Sequence, residues 1–258
     1  MGTPIVALLG LGEAGARLAG DLAEAGAEVR GYDPVVSVDG VPCASDPATA
    51  AAGADIVLSV NSAAASHAAA EAALPGLRTG ALFADLNTAA PQLKRDVAAV
   101  VERADALCAD VALLGAVPAR GLGTPALASG SGAGAFAAAF VPLGMPVDVV
   151  SEQPGDAATL KLLRSVFMKG MAASALESLD AAEVAGKREW LAQELANVIG
   201  EQLLERLVEG SRRHAARRTE EMDAARELLL ELGIEPRIAS ASASLLAELA
   251  ATPQRAGS

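Results

Sequence analysis

The 258-residue chain is poor in aromatic residues, with only two cysteines and two histidines. Each scarcity removes a class of function. His67 and His214 are too few for a histidine-rich metal site, and no metal is expected. Cys43 and Cys108 lie far apart and match neither a metal-ligand nor a redox spacing, so two unpaired thiols are expected. A formal charge of −12 without a basic patch argues against nucleic acid, whose phosphates must be neutralised. No apolar run of about eighteen residues is free of charge or glycine, so no membrane span is expected. The opening apolar run lacks the basic flank of a leader and reads as a strand, which makes a cytoplasmic protein the expectation. The alanine excess is a compositional bias that says little about function.

What is present starts at the first strand. Ile5-Val6-Ala7-Leu8-Leu9 runs into Gly10-Leu11-Gly12-Glu13-Ala14-Gly15, a G-x-G-x-x-G turn placed between a strand and a helix. Such a turn sets backbone N–H groups and a helix N-terminus against a pyrophosphate. Gly10 permits the tight turn, Gly12 the close approach of phosphates, and Gly15 the packing of helix on strand. Leu18 and Leu22 continue a helical spacing, and Gly26 stands where a C-terminal cap belongs. A second strand, Ala27 to Tyr32, ends at Asp33, where an acid would hold a ribose 2′-hydroxyl. A carboxylate there selects NAD. Arg30 and Pro34 beside it keep NADP open.

The two halves of the chain differ in period. Up to about residue 152, buried-strand runs alternate with helices: Asp55–Asn61, Ala81–Asp85, Ala106–Val111, then Leu127–Gly130 and Val147–Val150. This alternation predicts a parallel, doubly wound α/β sheet with ligands at the strand C-termini. Asn61 and Ser62 close one of these strands at the cofactor edge, although ordinary loop caps would look the same. From Gly155 onward only helices are predicted: Ala157–Gly186, Glu189–Glu209, Arg212–Leu232 and Ser240–Ala250, with a frayed end over Thr252–Ser258. The expected division is a dinucleotide-binding domain over 1–152 and an all-α domain over 153–258.

The first helix of the second half is apolar or small nearly throughout and is expected to be buried on most sides, its exceptions being Lys161, Arg164, Ser165, Lys169 and Ser174. At 100° per residue Lys161, Arg164, Ser165 and Met168 share a face, while Leu163 and Phe167 point away. No acid on this helix lies at i+3 or i+4 of these cations, so a bound anion or a distant carboxylate must compensate them. One reading makes Lys161 an acid–base group facing a nicotinamide. The other makes it a snorkelling side chain at a domain seam.

The order of these motifs resembles the β-hydroxyacid dehydrogenases, relatives of 3-hydroxyisobutyrate and 6-phosphogluconate dehydrogenases. Gly10–Gly15 is similar to their cofactor loop, and Asp85-Leu86-Asn87-Thr88-Ala89-Ala90-Pro91 to their D-x-S-T-x-x-P segment, with Asn87 for serine. Asp110 to Ala116 falls where they carry D-A-P-V-S-G-G, and Gly123-Thr124 matches the following G-T. The resemblance implies hydride transfer between NAD, or NADP, and a small hydroxy or keto compound. It assigns Lys161 as the catalytic lysine, and Asn87 and Thr88 to the cofactor, which Asn61 would join from its place at the strand end. Gly115, Ala116, Arg120, Arg164 and Ser165 are assigned to the substrate, and a homodimer is implied through the C-terminal helices.

Three departures stand out. Leu114 replaces the family serine that holds a substrate carboxylate, and Arg120 is the candidate to replace it. Ser165 stands where the family has asparagine. Met168 stands where 6-phosphogluconate dehydrogenases have an acid, so decarboxylation is not expected. The run from Arg212 to Met222 reads as a solvated helix face, or places His214 or Arg217 at a cleft, its own or a partner's. Trp190 is expected in the core or an interface. Competing readings are an imine reductase of related fold, which Lys161 disfavours, and a nucleotide-binding regulator without turnover, which Leu114 keeps open. A methyltransferase is disfavoured by the spacing of the first turn.

Overall fold

The computed structural model describes residues 3–252, so the predicted frayed end lies outside the described residues from 253 onward. Strands are β1 (Ile5–Leu9), β2 (Glu28–Tyr32), β3 (Ile56–Ser59), β4 (Leu82–Asp85), β5 (Leu107–Leu113), β6 (Ala126–Ser129) and β7 (Val147–Ser151). Helices up to the second half are α1 (Glu13–Glu24), α2 (Pro47–Ala51), α3 (Ala63–Ala73), α4 (Pro91–Glu102), α5 (Val117–Arg120) and α6 (Ala133–Phe140). There follow α7 (Asp156–Val184), α8 (Arg188–Ile199), α9 (Glu201–Arg213), α10 (Ala215–Glu231) and α11 (Arg237–Ala251). Two compact units divide between Lys161 and Leu162, inside α7.

The first unit is the expected doubly wound sheet, in the order β2-β1-β3-β4-β5-β6-β7. β1 to β5 are parallel, but β6 pairs antiparallel with β5, and β7 runs with β6. An all-parallel sheet is therefore corrected at its last two strands. The segment joining β5 to β6 holds only α5 and a 3-10 turn, too little to serve as a packed crossover helix. Alternation along β1 divides the core between the two faces of the sheet. Val6 and Leu8 pack with Leu18, Leu22, Phe136 and Phe140, whereas Ala7 and Leu9 pack with Ala50, Ala70, Phe83, Val97 and Val101. The Phe136 and Phe140 rings stack at 4.3 Å.

The second unit is all-helical, with one cluster around Leu162, Met222, Leu228 and Leu246 and another around Leu176, Leu179, Leu204 and Val208. The single helix predicted over Glu189–Glu209 is two helices, because Gly200 takes φ +86° and breaks the ladder. The α7 helix is less buried than its composition suggested: Leu163 and Phe167 are 40% and 66% exposed. Trp190 is likewise exposed, at 66%, and belongs to no core cluster.

Candidate active site

Strand order reverses between β1 and β3, and the glycine turn emerges from the C-terminal end of β1 at that switch point. The three glycines are required for three different reasons. Gly10 takes φ +110°, and a Cβ there would lie 2.2 Å from the Val60 carbonyl oxygen at the end of β3. A Cβ on Gly15 would lie 2.0 Å from the Gly10 carbonyl oxygen, so this glycine packs α1 onto the turn itself. Gly12 has ordinary extended angles and nothing within 4 Å of its Cβ position. Its bare face is open space directly before α1, whose first turn carries no side-chain cap. Unpaired N–H groups and an open, Cβ-free approach fit a pyrophosphate.

Asp33 braces this turn. Its Oδ2 accepts from Leu11 N at 2.9 Å, and its Oδ1 from Val35 N and Val36 N, each at 2.9 Å. Burial works to raise its pKa, but the three N–H bonds outweigh burial and hold the carboxyl below its ordinary value. One lone-pair direction on Oδ2 remains for a ribose hydroxyl. Arg30 turns elsewhere: its guanidinium donates to the Ala50 carbonyl at 2.7 Å and to the Ala52 carbonyl, at the C-terminal end of α2. The β2–α2 loop from Pro34 to Asp46 contains no lysine or arginine.

Asn61 and Asn87 lock the ends of β3 and β4 together. Asn61 N donates to Asn87 Oδ1 at 2.7 Å, and both side-chain amides reach Ser59 Oγ, at 3.1 and 3.0 Å. Ser62 caps α3 through the Ala65 N–H. At the next residue of the β4 loop, Thr88 Oγ1 accepts from Lys161 Nζ at 2.6 Å. Two residues assigned from distant parts of the sequence, one to cofactor and one to chemistry, are thus in direct contact.

Beneath this pair lies a group the sequence reading did not identify. Lys94 of α4 is 2% exposed. Its Nζ donates to the Asp85 carbonyl at 2.9 Å and lies 3.1 Å from Asp85 Oδ2 and 3.3 Å from Asp110 Oδ1. Burial works to lower its pKa, yet the charges of Asp85 and then Asp110 prevail and raise it. The signal was available: Pro91, Lys94, Val97, Ala98 and Val101 form one buried stripe of α4, so Lys94 occupies a core position. Cys108 lies close to the same group, and burial followed by Asp85 drives its thiol pKa strongly upward, so it is inert. His67 is half-buried on α3. Among the described residues no cluster of three His, Cys, Asp or Glu side chains is placed to hold a metal.

Gly115 and Ala116 are exposed between β5 and α5, and Arg120 ends α5 with its stem folded over Gly115. The loop is tethered at Leu122, whose N–H donates to Asp21 Oδ2 at 2.8 Å.

In the helical unit, Ser165 is buried and its hydroxyl donates to Glu221 Oε1. Lys169 Nζ reaches the same oxygen at 2.8 Å. Glu221 on α10 is therefore the distant carboxylate that compensates Lys169 of α7. Burial lowers the Lys169 pKa, with Glu221 opposing it. The position of Glu221, fifty-two residues from Lys169, lies beyond any local sequence rule. Arg164 and Arg217 are exposed, and His214 forms the junction of α9 and α10. Arg218 donates to Ser211 Oγ at 2.5 Å.

Residues 5–141, just over half of the chain, match the family described as the NAD binding domain of 6-phosphogluconate dehydrogenase. Residues 182–249 match a second family, described as a domain of unknown function, DUF1932. A stretch of 96 residues is 33% identical to an uncharacterized 28.5 kDa protein in the 7S RNA 5′ region of Methanothermus fervidus, covering 36% of this chain and 38% of that relative. A conserved hypothetical protein of Sinorhizobium meliloti 1021 is 29% identical at a TM-score of 0.78, over 100% of this chain and 92% of that one. The 3-hydroxyisobutyrate dehydrogenase of Mycobacterium tuberculosis has the same fold, with a TM-score of 0.82 at 20% identity, over 97% and 94% of the two chains.

Proposed function

We propose, from the premise that this chain belongs to the family of the 6-phosphogluconate dehydrogenase NAD-binding domain, that it is an oxidoreductase acting on a small hydroxy or keto compound with Lys161 as general acid and base. The observation that carries this reading is the 2.6 Å bond from Lys161 Nζ to Thr88 Oγ1. It holds an amine at the C-terminal end of β4, at the sheet edge where dinucleotides bind. The nicotinamide, when bound, supplies or accepts the hydride. The chain supplies the rest. Gly10, Gly12 and Gly15 shape the pyrophosphate seat, with Leu11, Glu13 and Ala14 completing the turn. Asp33 would offer its remaining lone pair to the adenosine ribose, and Asn61 and Asn87, which lock the ends of β3 and β4 together, would hold the cofactor at that edge. Lys161 holds a proton on Nζ for a substrate oxygen, or takes one from it, with Thr88 as its resting partner.

Arg120 would meet a substrate carboxylate in place of the hydroxyl lost at Leu114, with Gly115 and Ala116 offering backbone groups. Exposed Arg164 is a second cationic candidate. Ser165, bonded to Glu221, is the weaker one. NAD is favoured over NADP because Asp33 would repel a 2′-phosphate and Arg30 is bonded to carbonyls instead. The exposed side chains of Leu163, Phe167 and Ile238 line an apolar groove of about 670 Å³ in the helical unit, which supports a homodimer through these helices.

Titration of the pure protein with NADH and NADPH, followed by reduced-nicotinamide fluorescence, tests the reading. Tighter NADH binding supports it, and hydroxy and keto acids are then screened with that cofactor. Tighter NADPH binding removes the role given to Asp33. If neither binds, the oxidoreductase reading is withdrawn.

A further inference from the structure

We propose that Lys94 is a positioning residue for Lys161, acting through the two buried carboxylates that it joins; this rests on the reading of Lys161 given above. Asp85 and Asp110 stand in register on neighbouring parallel strands, each 1% exposed. Two carboxylates so placed, away from water, are costly to bury side by side without a cation between them. Lys94 is that cation, and its own side chain is also 1% exposed.

Each carboxylate then holds one side of the Lys161–Thr88 contact. Asp110 Oδ2 accepts from Ala158 N at 3.0 Å and from Ser129 Oγ at 3.1 Å, and Ser129 Oγ accepts from Ala157 N at 3.0 Å. These are first-turn N–H groups of α7, so Asp110 caps that helix from a distant strand and opposes its dipole with negative charge. The helix's own first acid, Asp156, is turned to Ser151 instead. Lys161 follows Ala158 by three residues, less than one turn. On the other side, Asp85 Oδ1 accepts from Asn87 N at 3.1 Å and Asn87 Nδ2 at 2.6 Å, one residue before Thr88. Asp85 Oδ2 is held by Ser66 Oγ at 2.8 Å.

Asp110 Oδ1 is where the arrangement depends most on Lys94. It is buried, and among the described residues no donor is aligned on it for a hydrogen bond. The charge of Lys94 at 3.3 Å is its compensation. Without that charge the two buried carboxylates lose the cation that draws them together, the cap on α7 weakens, and the start of the helix is free to shift. An apolar side chain in the same stripe would fill the core but leave both carboxylates buried without their cation. The lysine therefore has a reason beyond packing, which is to hold both aspartates in place.

The chain contains four lysines, Lys94, Lys161, Lys169 and Lys187, so ¹³Cε-lysine NMR of the whole protein yields four assignable signals. The experiment needs no nucleotide and no substrate. Thr88→Val defines the Lys161 signal without its partner. In Lys94→Met, the Lys161 signal is expected to move toward the Thr88→Val position while Lys169 and Lys187 stay, and Lys94→Arg is expected to restore it. Should Lys94→Met not fold, Lys94→Met/Asp85→Asn is measured instead, because it removes one carboxylate along with the cation. A Lys161 signal that keeps its wild-type position in either folded variant overturns the proposal. Nucleotide titration of the wild type judges the oxidoreductase reading separately, so the two can fail independently.

Discussion

Alanine at Gly12 and alanine at Gly15 are the same chemical change three residues apart, and the structure gives them opposite consequences. At Gly15 the new methyl would sit 2.0 Å from the Gly10 carbonyl oxygen and 2.9 Å from its carbon. Both are backbone atoms, so no side chain can swing away. The turn must move, and there is no space for even a Cβ between Gly10 and the Val60 carbonyl. Overpacking of this kind costs about 3 kcal/mol, which for a protein of this size lowers the melting temperature by roughly 6–12 °C. At Gly12 the backbone angles suit alanine and nothing lies within 4 Å. The weaker N-cap is offset by a stiffer unfolded chain, so stability should stay within about 1 kcal/mol of wild type. The methyl nevertheless occupies the face across which phosphates must approach. A penalty of about 1.5–3 kcal/mol there weakens NADH binding by roughly 10- to 150-fold. Thermal melts and fluorescence titration of the two variants make the comparison. A Gly12→Ala protein that binds NADH like wild type, or a Gly15→Ala protein that melts like it, would refute the reasoning.

Lys161→Ala should cut turnover on any substrate found by screening by about 10²- to 10⁴-fold, with the NADH dissociation constant unchanged; equal loss of both would make Lys161 a structural residue. The Asp33 carboxyl is held below its ordinary value of 3.8, so the stability it contributes is present above that pH and is lost as the pH falls through the lower folded value. NADH affinity should accordingly be flat from pH 8 to about pH 5, and a titration showing loss near neutrality would exclude Asp33 as the group responsible. Lys169→Met removes the ion pair that Lys169 makes with largely buried Glu221 and should cost about 3 kcal/mol by urea unfolding. Adding Glu221→Leu should recover most of that loss, and no recovery would mean that packing, not charge, is what Lys169 contributes.

The family and the sheet were legible because their determinants are local. The strand, glycine turn, helix and acid that build the first unit all lie within residues 5–33, and each is dictated by backbone sterics or by a two- or 3.6-residue period. Lys161 and Thr88 could be named separately from their motifs, and α7 could be seen to need a carboxylate that its own sequence lacks. What answers these requirements came from across the chain. Thr88 meets Lys161 over 73 positions, Glu221 meets Lys169 over 52, and Asp110 caps a helix that begins far downstream. Periodicity assigns a residue to a face, but which element covers that face depends on how the strands are ordered and the helices packed. The same limit explains the errors. A run of apolar residues marked α7 for burial, yet Leu163 and Phe167 are exposed in the single chain, since composition does not say which neighbour is at hand. Alternation predicted a parallel sheet, and only the length of the β5–β6 connection turned its last two strands around. Local order is decided by neighbours a few bonds away. Pairing among buried charges is decided by the low dielectric of an interior that exists only once the chain has folded.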